Sequence, residues 1–274
     1  MTQSVLFFDS GVGGLSVLEQ VRLQSPQLNL HYLMDDAAFP YGVKHDDELS
    51  DRVLTVCLAA VNQWQPDLLV IACNTASTLT LPLLRQQLTI PVVGVVPAIK
   101  PAAQLAGNGQ IGLLATPATV TRLYISDLIQ DFADHCRVER FGSTELVCWA
   151  EHYLHTGVAP DNLYDHLNPW FQQHPQMSHV VLGCTHFPLL KPLMQQLWPA
   201  IHWIDSGAAI ARRVATLLTP QTDGTGQLAL HWTSDRPAPA GASRFLQRLG
   251  PLSDSRPLEP PAGRQPFPHT KTYT

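Results

Sequence analysis

Two stretches of the chain, "VIACNTAST" (70–78) and "VVLGCTHFP" (180–188), read almost as copies of one phrase although more than a hundred residues separate them. Each is an apolar run that stops at a cysteine, Cys73 or Cys184, followed by small hydroxyl and amide residues and then a helical pattern. A cysteine where a parallel strand gives way to a helix stands at the carboxyl edge of a sheet, where open α/β folds place their ligands. A helix N-terminus carries partial positive charge, and with nearby donors such a setting draws a thiol pKa from about 8.5 toward neutrality, so the group cycles between thiol and thiolate. Asn74 and Thr75 after Cys73, and Thr185 and His186 after Cys184, supply hydrogen-bonding groups at the same spot. His186 is placed to orient or protonate its cysteine, and its bland alternative is a satisfied core or surface histidine.

Cysteine is also among the residues most often buried as an inert small hydrophobe, and either cysteine alone is explained as well that way. The parallel between the corners tips the balance, because a core cysteine needs no polar successors at matching positions. Cys57, inside a helical pattern, and Cys136, in "DHCRV", lack that setting and read as packing residues. Two thiols facing each other across a cleft between similar halves suit one reaction above others: removal of a proton from one face of a carbon and its return from the opposite face. One group cannot reach both faces of a tetrahedral centre. Because an amino acid's α-proton is far less acidic than a thiol, the site must also stabilise the developing enolate-like charge with preorganised donors in a dry cavity.

The elements that would hold these corners alternate along the chain. Short apolar runs recur at "VLFF" (5–8), "LHYLM" (30–34), "DLLVIA" (67–72), "PVVGVV" (91–96), "IGLLAT" (111–116) and "HVVLG" (179–183), the signature of buried parallel strands. Helical spacing fills most of the gaps, at "LSVLEQVRLQ" (15–24), "DDELSDRVLTVCLAAVNQW" (46–64) and "STLTLPLLRQQL" (77–88), the last with Pro82 in its first turns, where proline is tolerated. The fold class is α/β. "IGLLATPATVTRLYI" resembles the opening "VLFFDSGVGGLSVL", and from each opening strand the next cysteine corner lies some sixty to seventy residues on. The chain therefore reads as two related halves with a boundary near 97–110: residues 1–97 with 207–250 form one α/β domain and 98–206 the other. The amphipathic run after "DSG" (205–207) returns to pack on the first half. Residues 251–274, which hold six prolines and show no apolar periodicity, read as a loose tail.

"DSGVGG" (9–14) is a strand followed by a glycine-rich turn. It lacks the Walker lysine and the dinucleotide-binding spacing, so the glycines let a small anion approach backbone N–H groups while Asp9 points toward the cleft. Asp9 also has a bland reading, as a helix cap or turn residue. Composition narrows the function classes: 45% of residues are hydrophobic, 14% are charged, and the formal charge is -5. No Lys/Arg cluster announces a phosphate-binding surface, so nucleic acid is not an expected partner. No apolar run approaches membrane-spanning length and the N-terminus does not read as a secretory signal, so no membrane partner and a cytoplasmic location are expected. Five widely spread cysteines without a CxxC pair argue against a disulfide framework and a structural zinc site.

"FDSGVGGLSVL" (8–18), "FPYG" (39–42), "ACNTAST" (72–78), "GLLATPATV" (112–120), "ELVCWAE" (145–151), "LGCTHFPLL" (182–190) and "DSG" (205–207) together resemble the glutamate racemases of the cofactor-independent aspartate/glutamate racemase superfamily. The resemblance implies two flavodoxin-like, pseudo-symmetric domains with parallel sheets and an active site in the interdomain cleft, and interconversion of L- and D-glutamate for peptidoglycan and cell-wall biogenesis. It implies no pyridoxal phosphate and no metal, glutamate as the small-molecule partner, and a homodimer as the assembly to consider. Carried over by position, Cys73 is the base for D-glutamate and Cys184 the base for L-glutamate. Asp9, Glu151 and His186 assist them, while Asp9, Ser10, Tyr41, Gly42, Asn74, Thr75, Thr185 and His186 hold the substrate, with Thr119 a lesser candidate. Two departures stand out. Cys148 and Trp149 replace the proline and leucine of many members, which suggests a differently shaped loop around Glu151, and Asp36 stands where many have threonine. The competing readings are a racemase of aspartate or another amino acid, a thiol redox protein using Cys73 and Cys184 as an exchangeable pair, and a non-catalytic binding module derived from a racemase.

Overall fold

A computed structural model describes residues 2–218 and 224–259. The chain divides into two compact units, Met1–Val95 with Gly207–Thr274, and Val96–Ser206. The first unit opens with β1 (Ser4–Asp9), α1 (Leu15–Gln24), β2 (Asn29–Met34), two short 3-10 turns (Asp36–Ala38 and Tyr41–Val43), α2 (Asp46–Trp64), β3 (Leu68–Ile71), α3 (Asn74–Gln87) and β4 (Val92–Gly94). The second comprises α4 (Ile99–Ala106), β5 (Gln110–Ala115), α5 (Pro117–Thr121), α6 (Leu123–Phe132), β6 (Arg137–Gly142), α7 (Glu145–Thr156), α8 (Leu163–Gln173), β7 (Met177–Leu182), α9 (Phe187–Leu197) and β8 (His202–Ile204). The chain then re-enters the first unit with α10 (Gly207–Leu217), β9 (Leu228–Trp232), α11 (Ala240–Leu249) and β10 (Leu252–Pro257).

Among the described residues every strand pairing is parallel. The first sheet runs β10-β9-β2-β1-β3-β4 and the second β6-β5-β7-β8. In each, the opening strand has the second strand on one side and the third on the other. Strands covered on both faces must be apolar throughout, which is why β1, "SVLFFD", is buried at every residue after Ser4. Helix α2 shows the complementary rule: Leu49, Val53, Val56, Cys57 and Ala60 recur at helical spacing and are buried, and Asp46, Asp47 and Glu48 sit at the positive end of its dipole. Helix α10 packs on α1, with Ile210, Ala211 and Val214 buried on one and Leu18 and Val21 on the other, as the amphipathic pattern after residue 205 foretells.

Four strands escape the apolar-run reading, and their positions explain why. β6 and β10 are sheet edges whose charged and polar residues alternate with half-buried ones, β8 has three residues, and β9, "LALHW", is fully buried but shorter than a clear pattern requires. The loose tail expected from residue 251 therefore begins as a strand. Leu252–Pro257 pairs with β9, and Pro257 falls where an edge strand tolerates the missing N–H. Residues 260–274 of that expected tail lie outside the described residues. Helix α3 starts at Asn74, three residues earlier than its apolar spacing suggests, so Pro82 stands inside the helix rather than in its first turns. Among the described residues no helix is long and apolar enough to cross a membrane.

Two buried polar groupings hold the C-terminal strands to the first unit. Asp35, fully buried, accepts two hydrogen bonds from Arg52 (2.5 and 2.9 Å), one from the Tyr41 hydroxyl (2.5 Å) and one from Thr233 Oγ1 (2.6 Å) just after β9. On β9 itself, His231 Nδ1 lies 3.2 Å from the Arg256 carbonyl of β10 and its Nε2 lies 3.2 Å from His31 Nδ1 of β2. A carbonyl only accepts, so His231 Nδ1 carries the proton and its Nε2 accepts from His31. Burial, and then the neighbouring His31, lower the His231 pKa from 6.5 to about 4.

Arg52→Ala leaves the Asp35 carboxylate buried without its cation and is expected to cost roughly 3–5 kcal/mol in urea unfolding, the usual penalty for halving a buried pair. For His231, whose folded pKa lies below its unfolded value, the sign is the reverse of a salt-bridged histidine. Its contribution is complete above about pH 6.5 and is lost as pH falls toward the folded value. Unfolding free energy should therefore drop between those limits, and His231→Phe should flatten that slope in urea titrations at a series of pH values.

Candidate active site

The first corner is assembled where the first sheet's strand order reverses, between β1 and β3. The Ala72 N–H donates to the Phe8 carbonyl (2.7 Å), which carries the ladder past the end of β3, sets Ala72 beside Asp9 in the next rung and leaves Cys73 one residue further on. Asp9 is buried, and its Oδ1 accepts from the Gly11 N–H (3.0 Å) and the Ser10 hydroxyl (3.3 Å). The glycine-rich turn is pressed tightly onto this place: a Cβ on Gly14 would sit 2.8 Å from the Ala72 Cβ and 3.1 Å from the Asp9 Cβ. The turn's glycine is thus required by close approach.

Cys73 is the N-cap of α3, with extended backbone angles (φ −118°, ψ 122°), so its sulfur stands at the helix's positive end. Ser77 fastens the first turn of α3, its hydroxyl donating to the Ile71 carbonyl (2.9 Å) and accepting from the Val95 N–H (3.1 Å). Ser10, Asn74 and Thr75 are all buried. Among the described residues the Asn74 Oδ1 has no hydrogen-bond partner. A buried acceptor left unmade costs about 1–3 kcal/mol, and a ligand ammonium is the kind of donor that would satisfy it.

Tyr41 is buried with its hydroxyl committed to Asp35, and both burial and the Asp35 charge push its pKa well above 10. Its side chain therefore anchors the "PYG" segment from beneath, leaving half-buried Gly42 as the more open part. Asp36, the residue that replaces threonine, buckles the same segment to the end of β9: its Oδ1 accepts from the N–H groups of Thr233 and Ser234 (both 3.0 Å) and its Oδ2 from the Ser234 hydroxyl (2.5 Å).

The second corner follows β7, the third strand of the second sheet, beside β5. The Gly183 N–H donates to the Leu114 carbonyl (2.7 Å), and a Cβ at Gly183 would lie 2.9 Å from Leu113 Cδ1. Here the two corners diverge. Cys73 caps its helix directly, whereas Cys184 precedes the N-cap, His186, by two residues, with Pro188 in the first turn of α9. The extra turn folds His186 back toward the thiol. Cys184 Sγ lies 3.8 Å from His186 Nδ1, and His186 Nε2 donates to Glu151 Oε1 at 2.8 Å. Thr185 is buried beside them. Thr119 is spent locally, its hydroxyl 2.8 Å from that of Thr116, the cap of α5.

Glu151 is carried on helix α7, where a loop was expected. With Cys148 in place of a proline the backbone N–H is restored, and Leu146, Val147 and Ala150 form a buried face that keeps the segment helical. Burial alone would disfavour a charged His186. The hydrogen bonds to Cys184 and Glu151, together with their charges, outweigh it and hold the imidazolium well above the ordinary histidine range. One N–H of that cation is aimed at the Cys184 sulfur and the other at the Glu151 carboxylate. The apolar-run reading passed over three contributors. These are Asp35 and Arg52, which anchor Tyr41, and His155, whose Nε2 is 3.5 Å from Glu151 Oε2. The last was readable as an i, i+4 pair once α7 is known to be a helix. Among the described residues no group of three His, Cys, Asp or Glu side chains is set to hold a metal ion.

The fold and its corners define a two-unit α/β protein whose thiols are equipped for acid–base work. Residues 15–214 match the Asp/Glu/Hydantoin racemase model, and the chain belongs to that family. The glutamate racemase of Photorhabdus laumondii is 52% identical over 223 residues, 80% of this chain and 77% of that protein. The crystal structure of Escherichia coli glutamate racemase, in complex with L-glutamate and the activator UDP-MurNAc-ala, is similar with a TM-score of 0.86 and 43% identity, covering 94% of this chain and 98% of that one. A glutamate racemase isoform from Bacillus anthracis is similar with a TM-score of 0.77 at 25% identity, covering 95% and 98%.

Removing the Glu151 charge while keeping its shape tests the electrostatics. In Glu151→Gln the His186 imidazole is expected to titrate at lower pH than in the parent protein, because one of its two stabilising partners is neutral. NMR titration of the histidine ring signals measures this directly, and an unchanged midpoint would show that the carboxylate does not set the charge.

Proposed function

We propose that this chain interconverts L- and D-glutamate by moving the α-proton between two thiols, without a cofactor. The observation that carries the reading is the recurrence of a buried cysteine after the third strand of two sheets that share the order second-first-third-fourth, in a member of this racemase family. Glutamate, rather than another acidic amino acid, is supported by relatives at about half identity that are glutamate racemases.

In the L-to-D direction the Cys184 thiolate takes the α-proton, forming S–H as C–H breaks, and Cys73 delivers its own proton to the opposite face of the carbon. The reverse direction exchanges the roles. His186, held by Glu151, presents an N–H to the Cys184 sulfur, the start of α3 stands at Cys73, and Asp9 is the polar residue that assists on that side. Asn74 Oδ1 accepts from the substrate ammonium, while Ser10, Thr75, Thr185 and the backbone of Tyr41 and Gly42 hold the carboxylates. The two compact units are the enzyme's two domains, each supplying one thiol. The product serves peptidoglycan synthesis, a cytoplasmic location belongs to the same reading, and a homodimer is the assembly that sedimentation would check.

In heavy water without added cofactor, the parent enzyme should incorporate deuterium at the α-carbon of both enantiomers. Cys73→Ser and Cys184→Ser should each lose racemisation by on the order of 10³-fold, within the range a positioned acid–base group contributes. Cys73→Ser should still exchange the α-hydrogen of L-glutamate only, and Cys184→Ser that of D-glutamate only. Exchange of both enantiomers by either variant would defeat the assignment of one thiol to each face.

A further inference from the structure

Glu151 has two carboxylate oxygens and each meets an imidazole. Oε1 accepts from buried His186 at 2.8 Å, and Oε2 lies 3.5 Å from Nε2 of His155, one turn further along α7 and about one-third exposed. An exposed i, i+4 ion pair is ordinarily worth little. This one differs because its carboxylate is mostly sheltered and the other oxygen is already bound to the histidine beside Cys184. A carboxylate held at one oxygen can still turn about its side-chain bonds; held at both, it cannot leave His186 without breaking a second contact.

We propose that His155 is a positioning residue for the Cys184 half of the reaction: by engaging Glu151 Oε2 it fixes the carboxylate against His186, and so fixes the imidazole that faces the thiol. This rests on the racemase reading given above and adds a residue to it. Through this contact the effect of His155 reaches the chemistry by way of Glu151 and His186, and because that pair stands at Cys184 the consequence falls on the Cys184 half of the reaction.

The test uses that asymmetry. His155→Leu and His155→Gln are made in the Cys73→Ser and Cys184→Ser backgrounds, and α-hydrogen exchange is measured in heavy water with L- and D-glutamate respectively. For His155→Leu the ratio of L exchange to D exchange is expected to fall about threefold, the lower end of what one polar contact contributes. The glutamine variant retains a donor that reaches Glu151 from the same helix position and should recover most of the ratio. In otherwise unmodified protein, His155→Leu should also lower the titration midpoint of His186 observed by NMR, and His155→Gln should not. Equal losses in both backgrounds, no loss, or no recovery with glutamine would overturn the proposal. Should neither background exchange any α-hydrogen, the racemase reading itself fails, and the His186 midpoint then decides alone whether His155 positions Glu151.

Discussion

In each unit the chain leaves its opening strand toward one side of the sheet and comes back to lay the third strand on the other side. The loops that follow those two neighbouring strands must part, because their helices go to opposite faces. What remains between them is a place lined by the ends of two strands and by backbone N–H groups. Asp9 and Cys73 stand on the two sides of one such parting, at the ends of β1 and β3; Thr116 and Cys184 stand on those of the other, after β5 and β7. The repeated cysteine phrase follows from that geometry: two copies of one strand order offer two copies of one opening.

Charge is then managed differently at the two corners. Cys73 takes its support from the start of a helix, a fixed partial charge. Cys184 sits ahead of its helix and takes support from an imidazolium that is itself held by a carboxylate. Deep in the first unit, Asp35 and Arg52 satisfy each other and brace Tyr41, so that the segment carrying Gly42 is held by the core below it. Burying such groups is favourable only when their lone pairs find donors, and Asp35 accepts four hydrogen bonds from three residues.

Much of this was legible in the residues themselves. Strands covered on both faces must be continuously apolar, so β1, β2, β3, β5 and β7 stand out, and both cysteines fall at the ends of such runs. The polar edge strands were not legible, because a strand open on two sides obeys no apolar rule. "RVERFG" and "LSDSRP" are strands only because a neighbour lends them a ladder. The helix around Glu151 was misread as a loop for a related reason, since its identity depends on a narrow buried stripe of Leu146, Val147 and Ala150. Contacts such as Tyr41 to Asp35, or His155 to Glu151, depend on where side chains turn, which no pattern of residue types announces.

The first sheet is completed by strands that arrive very late. β9 joins β2 across a separation of about 200 residues and β10 then joins β9, and the whole second unit is made in between. On the ribosome, the second unit's four strands are all available before β9 has been synthesised, while β2 waits with one edge unpaired. Such a delay exposes an apolar strand to other nascent chains for as long as translation takes to supply its partner. Growth conditions that slow elongation through the middle of the message would therefore be expected to raise this protein's demand for chaperones without altering the stability of the finished molecule.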